Sequence, residues 1–363
     1  MSVGGGASGA AGLTGRVGVA VGALSPSYFA LVMATGIVSV AAYLLGWRPI
    51  AYALVAVNLL AYPALWALTL TRAVAYRQRF LADVVDHARG SGFFTTIAGT
   101  NVLGAQLFIV LGWRSTAEGL FVLGVLLWFV VMYTFFTSII VRRKKPTLVE
   151  GINGAWLIAT VATESVAILA VLLRTPLGLP AQGVAFCALV FYLIGCNLYL
   201  AIITLIFYRF TFLRVDIVNL TPPYWINMGA VAITTLAGAL LVLDAQHSPL
   251  IAEITPFVKG FTLFFWSAAT WWIPLLLFLG VWRHVIRRFP LRYDPQFWGM
   301  VFPLGMYTAS TYRLAHALDL PWLEALPRGF LWLAVAAWLA TFAGLLHRLA
   351  RIVVPAATDA GRA

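Results

Sequence analysis

Charged residues are scarce in this chain of 363 residues, and acidic side chains are the scarcest of them. Asp, Glu, Lys and Arg make up 10% of the sequence, whereas about 25% is usual in soluble domains. Hydrophobic residues supply 62% and arrive in blocks of about 20, the length that crosses the hydrocarbon core of a bilayer. These proportions exclude a soluble globular protein and predict an integral membrane protein with several transmembrane helices.

Cysteine is also rare, since only Cys187 and Cys196 occur, both in one apolar segment. At nine residues apart they occupy opposite faces of a helix, so they cannot form a disulfide with each other. The five histidines lie in loops or at the ends of apolar segments, and neither an HExxH nor a GxSxG motif is present. The sequence therefore predicts no metal site, no cofactor and no enzyme, with a membrane-embedded enzyme kept as a remote alternative.

Ten apolar segments predict ten transmembrane helices in one domain over residues 25–350. Residues 1–24 are rich in small residues and lack the basic segment, apolar core and cleavage site of a signal peptide, so we predict a flexible tail there. Residues 351–363 are predicted to form a short C-terminal tail. The predicted spans are 26–46, 50–71, 92–113, 117–140, 152–173, 182–207, 222–243, 257–281, 295–315 and 329–348.

Basic residues are distributed unequally between the loops of the two sides. With ten spans both termini lie on one side, and that side holds eighteen of the 24 Lys and Arg residues against six that are assigned to the other side: Arg48, Arg114, Arg174, Lys259, Arg313 and Arg328. Cytoplasmic loops of membrane proteins carry an excess of Lys and Arg. We therefore predict a multi-pass protein of the cell membrane with both termini in the cytoplasm. Because topology accounts for the net charge of +12, no nucleic-acid partner is predicted.

The odd-numbered spans share a starting motif that indicates an internal repeat. Three of them begin with a capping residue, a proline and two aromatic residues, a pattern typical of a helix start. Spans three and five carry weaker copies, at Gly90 and Ile152. Successive copies are 62 to 73 residues apart, so the repeat unit is one helical hairpin, present five times. The three clear copies are Ser25-Pro26-Ser27-Tyr28-Phe29, Thr221-Pro222-Pro223-Tyr224-Trp225 and Asp294-Pro295-Gln296-Phe297-Trp298.

Five hairpins that enter the membrane in the same direction are related by rotation about the membrane normal, unlike the inverted repeats of many carriers. We therefore predict an all-α fold in which the odd-numbered helices form a pseudo-five-fold inner ring. With helices about 10 Å across, such a ring leaves a central pore of roughly 3 Å radius, which accommodates a small anion. The alternative is that the five repeats close into a packed bundle without a pore.

Small and polar side chains recur on the odd-numbered spans and are candidates for lining the pore. Hydroxyl and amide groups can replace part of the hydration shell of an ion, yet they are equally common as contacts between membrane helices. The predicted pore-lining residues are Thr35, Gly36, Ser39, Thr100, Asn101, Thr160, Thr163, Glu164, Asn227, Gly229, Thr234 and Gly305.

Three stretches of the chain resemble one known family: PSYFALVMATG at 26–36, PPYWINMG at 222–229 and FWGMVFPLG at 297–305. Together they resemble the tellurite-resistance/dicarboxylate transporter family, which includes plant guard-cell slow anion channels, a yeast malic-acid permease and yeast sulfite efflux pumps. The resemblance covers the ten-span core and implies five hairpins around a pore, a homotrimer with one pore per subunit, and passage of small anions. It also implies that a phenylalanine on the ninth span closes the pore, and Phe302, next to Pro303, is the matching residue.

Phe302 also stands out from the residues alone. Pro303 removes a backbone hydrogen bond and bends the helix, so a side chain at position 302 can point inward or swing aside. The alternative is a phenylalanine that packs within a hairpin or faces lipid. Four positions beyond the second aromatic residue of each motif, where only one span carries an aromatic, the residues are Met33, Ala98, Thr160, Gly229 and Phe302.

The odd-numbered spans carry no Lys, Arg or His deep inside, so we expect diffuse anion selectivity from helix N-termini and basic loops at the cytoplasmic mouth. Glu164 is the one acid well inside a span. In its protonated form it can donate a hydrogen bond to an anion and couple transport to protons, as in a dicarboxylate or sulfite carrier. The alternative is a neutral glutamate that bonds neighbouring hydroxyls. Chloride, nitrate, sulfite, tellurite and malate are all compatible with these residues.

Overall fold

Residues 13–353, which the computed structural model describes, form thirteen α-helices joined by short turns. The helices are α1 (Leu13–Gly22), α2 (Ala30–Leu44), α3 (Arg48–Ala75), α4 (Arg77–Val84), α5 (Phe94–Gln106), α6 (Arg114–Val141), α7 (Leu148–Gly151), α8 (Ile158–Leu173), α9 (Ala181–Phe212), α10 (Ile226–Leu243), α11 (Pro249–Val281), α12 (Trp298–Ala317) and α13 (Ala325–Val353).

A single 3₁₀ turn precedes each of α2, α5, α8, α10 and α12. Ser25, Asn153 and Asp294 cap their turns by accepting a backbone N–H two residues on, with Asp294 Oδ1 lying 2.8 Å from the amide nitrogen of Gln296. Thr221 makes no such cap. The predicted helix starts at all five motifs are confirmed. The turns are Pro26–Phe29, Gly90–Phe93, Gly154–Leu157, Pro222–Trp225 and Pro295–Phe297.

The five helices with 3₁₀ starts, which we call the ring helices, form a closed ring. Helix α2 contacts α5, α5 contacts α8, α8 contacts α10, α10 contacts α12, and α12 returns to α2. Their 3₁₀ turns touch in the same order, so all five ring helices begin at one end of the ring. We call this end the turn end and the opposite end the far end.

Each ring helix pairs with the long helix that follows it, and these outer helices are α3, α6, α9, α11 and α13. In four ring helices 78–89% of the most apolar window is buried, against 22–39% in the outer helices. Large apolar side chains such as Leu60, Val130 and Phe278 are well exposed on the outer helices. Since lipid tails are as apolar as these side chains, the outer helices supply a surface suited to the bilayer.

Glycine allows the turn end of the ring to close. A Cβ atom on Gly154 would overlap the carbonyl oxygen of Pro223, and one on Gly92 would overlap the Ser27 hydroxyl oxygen. Both glycines belong to the weaker copies of the starting motif. At these two positions the turn approaches a neighbouring turn more closely than a side chain permits.

Nine helices within residues 13–353 are long and apolar enough to cross a membrane, where the sequence predicts ten. The ninth predicted span, 295–315, forms α12, whose 20 residues are long enough but include Gly, Ser, Thr and Tyr and are less apolar. The outer helices have 28–33 residues and exceed the roughly 20 that a bilayer core requires. The predicted all-α membrane protein is confirmed.

Part of the predicted N-terminal tail is helical. Helix α1 lies against α3 and α13. Two side chains hold it, because the Tyr76 hydroxyl donates to the Gly18 carbonyl oxygen at 2.7 Å and Arg72 Nε donates to that of Gly22 at 3.4 Å. The prediction of a flexible tail over residues 1–24 is therefore wrong for residues 13–22, and residues 1–12 lie outside the described range. At the other end α13 continues to Val353, into the predicted C-terminal tail.

Candidate functional site

Two cavities lie within the closed ring of helices. The vestibule, at the turn end, has a volume of about 440 Å³ and is lined by residues that precede or begin all five ring helices. The far cavity has a volume of about 30 Å³ and is lined by all five ring helices near the far end. Because every ring helix bounds both cavities, both lie on the axis of the ring.

The far cavity is mainly aliphatic, and its polar lining residues are Asn101, Ser165 and Arg313. Asn101 Nδ2 donates to Ser165 Oγ at 3.1 Å, and the Ser165 hydroxyl donates to the carbonyl oxygen of Ala162, whereas Asn101 Oδ1 is buried without a partner among the described residues. A volume of about 30 Å³ holds one or two water molecules. This is too little for a hydrated anion, so the axial path is closed in this conformation. The aliphatic lining includes Ile37, Val102, Ile168, Leu236 and Met306.

Phe302 lies between the two cavities. Phe302, Met306, Ala309 and Arg313 are spaced by four, three and four residues, which places them on one face of α12. The last three line the far cavity, so Phe302 occupies the same face one turn closer to the turn end. Its side chain is fully buried, and the vestibule reaches only as far as Gln296 on this part of the chain.

The backbone beside Phe302 is interrupted by a proline inside α12. Pro303 has no N–H, so the carbonyl group of Gly299 loses its helical partner and the helix is weaker at this turn. Helix α10 approaches this proline closely, because a Cβ atom on Gly229 would lie 2.6 Å from Pro303 Cγ. Glycine at position 229 therefore permits the contact between α10 and the weakened turn of α12.

Arg313 is the charged residue in the lining of the far cavity. The sequence predicts no cation inside the ring, because Arg313 is assigned to the loop side of its span. Helix α12 continues to Ala317, so Arg313 faces the axis, and the prediction is wrong at the far end. Within residues 13–353 no carboxylate pairs with its guanidinium group. Three acids at the far end pair with other cations: Glu118 with Arg114, Asp244 with Arg174 and Glu324 with Arg328.

The spacing of four, three and four residues that joins Phe302, Met306, Ala309 and Arg313 is visible in the sequence and provides the signal that identifies Arg313. A stripe that begins at an inward-facing Phe302 and is extended by four, three and four residues reaches this arginine.

Four predicted pore-lining hydroxyl groups bond to outer helices, at distances of 2.8–2.9 Å. Hydroxyl groups in membrane helices commonly bond a neighbouring helix in this way. In the structure these side chains therefore join the two helical layers. The pairs are Thr35 with Trp338, Ser39 with the carbonyl group of Ala51, Thr100 with Tyr62, and Thr163 with Trp128.

The remaining small residues of the predicted lining lie between helices. Gly36 faces Val102, and Gly305 faces Val38, each so closely that a Cβ atom would lie within 2.8 Å of the valine side chain. The Thr160 hydroxyl and both polar atoms of the Asn227 side chain are buried and have no hydrogen-bond partner within the described range. Of the predicted pore-lining residues, Asn101 alone is among the residues that line the far cavity.

Glu164 is fully buried and points toward α9, away from the far cavity. A Cβ atom on Gly195 of α9 would overlap its carboxyl group, and neither carboxyl oxygen accepts a hydrogen bond from the described residues. Thr234 of α10 is close by, but its hydroxyl donates to the carbonyl oxygen of Ala230 at 2.9 Å. The structure therefore places Glu164 between a ring helix and its outer helix.

The vestibule is polar and carries two arginines with different surroundings. Arg89 is half exposed and pairs with Asp83, with 2.6 Å between Nε and Oδ1. Arg209 is buried and donates to the Tyr224 hydroxyl. Glu150 also lines the vestibule. The five helix starts add partial positive charge from their backbone N–H groups, so the turn end attracts anions despite this acid.

These features define a class of protein: an all-α membrane protein in which five helical hairpins enclose two axial cavities, one of them lined by an arginine. The chain belongs to the SLAC1, or voltage-dependent anion channel, family, whose profile matches residues 23–346. This membership confirms the predicted family resemblance. It identifies a protein that transports anions across a membrane, and not an enzyme.

Curated relatives span different parts of the chain. It is 41% identical over 156 residues to an uncharacterized membrane protein of Mycobacterium tuberculosis, which covers 43% of this chain and 79% of that protein. It is 27% identical over 328 residues to an uncharacterized transporter of Methanocaldococcus jannaschii, covering 87% of this chain and 90% of the relative. A second uncharacterized transporter of the same archaeon is 26% identical over 339 residues, with 89% and 94% covered.

Proposed function

We propose that this protein conducts small anions along the axis of the ring, from the vestibule past Phe302 to the far cavity. The observation that carries this proposal is the far cavity itself. All five ring helices bound it, and the charged group in its lining is an arginine without a carboxylate partner among residues 13–353. A permeating anion would find there a positive charge that no carboxylate in this part of the chain pairs with.

Phe302 closes the path in this proposal, and Pro303 provides the weak turn on which the side chain moves. The pathway has a wide vestibule, a buried aromatic layer and a far cavity too small for a hydrated ion. Apolar constrictions of this kind stop ions by excluding water. Movement of the Phe302 side chain would join the two cavities.

The substrates in this proposal are small inorganic anions, oxyanions such as tellurite or sulfite, or C4-dicarboxylates. A lining that is mostly aliphatic binds none of them tightly, which favours passage over retention. The turn end faces the cytoplasm of the cell membrane, since the loops on that side carry most of the basic residues. Three copies assemble as a homotrimer in which each subunit has its own path.

Flux through purified protein in liposomes tests this function directly. Vesicles loaded with chloride and diluted into nitrate, sulfite, tellurite or malate report anion exchange, and a potassium gradient reports cation leak. We expect several small anions to cross with modest discrimination and potassium to be excluded. A flux that follows the potassium gradient would contradict the proposal. The absence of flux for every anion in a variant with Phe302 replaced by alanine would also contradict it.

A proton-coupled dicarboxylate or sulfite carrier is the second candidate, and it depends on Glu164. Because Glu164 faces α9 and not the axis, we expect Glu164→Gln to keep both the anion flux and its dependence on a pH gradient. The measurement is anion uptake with and without a pH gradient. The matched variant is Ser165→Ala, one residue further on at the wall of the far cavity. Loss of pH-driven uptake in Glu164→Gln alone would favour the carrier.

The pH-driven uptake of the wild type and the two variants is best compared between pH 7 and 8. Burial, followed by the charge of Arg142, lowers the pKa of His87 below its ordinary value of 6.5. His87 is therefore already neutral in that range, and its titration does not contribute to the pH dependence.

A further inference from the structure

A third cavity lies outside the ring at the turn end, between the start of α10, the end of α11 and α13. This lateral cavity has a volume of about 370 Å³, within the range usual for small-molecule sites. Its walls are largely apolar, and they also carry Arg283, His284 and Arg292. The apolar walls include Trp225, Leu276, Leu279, Leu291, Met300 and Ala340.

The chemistry of this cavity changes with depth. Its basic residues lie in the turn that follows α11 and in the segment before α12, level with the beginning of α10. Leu276 lies about two turns before Arg283, and Ala340 lies in the middle of α13, so both are nearer to the middle of the bilayer. A site with cations at the membrane surface and apolar walls beneath them matches the two parts of an anionic phospholipid.

Arg283 is built into the wall of the cavity. It is 9% exposed, its guanidinium group donates to the Leu220 carbonyl oxygen, and it lies 4.3 Å from the centre of the Phe289 ring. The Nε atom is buried and has no hydrogen-bond partner among the described residues. A buried donor without a partner is costly, so the hydrogen-bonding capacity of this guanidinium group is not satisfied by the Leu220 carbonyl alone.

The backbone that directly follows α11 helps to place Arg283 and His284 beside the cavity. Residues 282–286 form a π-helical turn, which shifts the register of the last turn relative to a continuous α-helix. His284 Nδ1 approaches the Phe289 carbonyl oxygen at 2.9 Å, which fixes the ring beside the cavity. Asp294 is the acid nearby, and its Oδ1 accepts the amide N–H of Gln296.

We infer that the lateral cavity binds an anionic phospholipid of the leaflet at the turn end, with its headgroup on Arg283 and Arg292 and an acyl chain along α11 and α13. This inference does not depend on the anion pathway, because the cavity lies outside the ring. The lipid occupies the groove between two hairpins, where it stabilises their contact.

Lipid binding by the purified full-length protein tests this inference. Native mass spectrometry and the shift in melting temperature are measured with phosphatidylglycerol, with phosphatidylcholine and with inorganic phosphate alone. We expect phosphatidylglycerol to bind and to raise the melting temperature, while the other two have little effect. Equal effects of the two lipids, or an equal effect of phosphate alone, would overturn the inference.

Two variants locate the site. Gly280→Leu adds a side chain at the lining of the cavity, where a Cβ atom meets no atom within 4 Å, and Gly260→Leu is the matched control on the same helix, where a Cβ atom also meets none. The exposed Arg292 is changed to Gln, which we expect to weaken phosphatidylglycerol binding about fivefold. We expect Gly280→Leu to abolish binding and Gly260→Leu to retain it.

A second copy of the chain is the competing occupant of this groove. Gly280→Leu would then dissociate an oligomer, which native mass spectrometry reports as a change in mass with no loss of bound lipid. That result, or equal lipid binding by the Gly280→Leu and Gly260→Leu variants, would overturn the inference.

Discussion

Phe302→Ala is expected to raise anion flux at least about tenfold, which corresponds to a barrier lower by about 1.4 kcal/mol. The Phe302 side chain is fully buried on the face of α12 that lines the far cavity. Its removal leaves a void next to that cavity, because the surrounding helices relax only partly when a large side chain is lost. The void would join the vestibule to the far cavity and admit water. Single-channel recording in planar bilayers, or vesicle flux, measures the change.

The control for this prediction is Phe265→Ala. Phe265 is equally buried but lies in the outer helix α11, where it contacts Tyr199 and Phe261. Both substitutions remove a buried ring and are expected to destabilise the fold to a similar degree, by about 3–5 kcal/mol. Only the change on the axis is expected to alter conductance. Equal flux in the wild type and Phe302→Ala would contradict the proposed gate, as would an increase of the same size in Phe265→Ala.

Arg313→Gln is expected to lower the anion-to-cation permeability ratio about tenfold, equivalent to ~1.4 kcal/mol. A unit charge about 4 Å from an ion contributes about 4 kcal/mol at an effective dielectric constant of 20, before the cost of removing the ion from water. Arg313 is the charged group in the lining of the far cavity, and no carboxylate within residues 13–353 offsets it. The reversal potential in a salt gradient measures the ratio.

Arg48→Gln is the matched control for Arg313. Arg48 is an exposed arginine at the start of α3, near the far end, and the carbon of its guanidinium group lies 5.9 Å from the centre of the Tyr43 ring. Its loss removes the same charge from the same end of the protein but not from the axis. Arg313→Lys is expected to keep most of the selectivity, since it keeps the charge. Equal shifts of the reversal potential in Arg313→Gln and Arg48→Gln would mean that surface charge, not the cavity, selects the ion.

Most of the fold can be predicted from the sequence because it depends on local patterns. Apolar blocks of bilayer length identify the helices, and proline after a capping residue locates where ring helices begin. Helix α12 shows where the pattern weakens, since a helix surrounded by others need not be apolar. Helix α1 shows the opposite case. Its small residues predict a flexible tail, yet the segment is helical and its carbonyl oxygens accept hydrogen bonds from Arg72 and Tyr76.

The candidate site was less predictable, because a polar residue on a ring helix can face the axis, a neighbouring ring helix or an outer helix. Composition does not separate these three directions. Thr35 and Thr163 have the residue type expected of a pore lining, and their hydroxyls accept indole N–H groups from outer helices. The sequence alone assigns Arg313 to a loop because the predicted span ends two residues after it. Helix α12 extends to Ala317, so Arg313 lies within the helix and lines the far cavity.

The sequence by itself determined that this chain is an all-α membrane protein made of five repeated hairpins, and it singled out Phe302. Hydrophobic length and helix-start chemistry are properties of short segments, so they can be recognised without the rest of the chain. Only the tertiary structure decided that Glu164 faces α9, that hydroxyl groups join the two helical layers, and that Arg313 lies beside the far cavity without a carboxylate partner in the described part of the chain. Those outcomes depend on the rotation of each helix about its own axis, which is set by packing against neighbours distant in sequence.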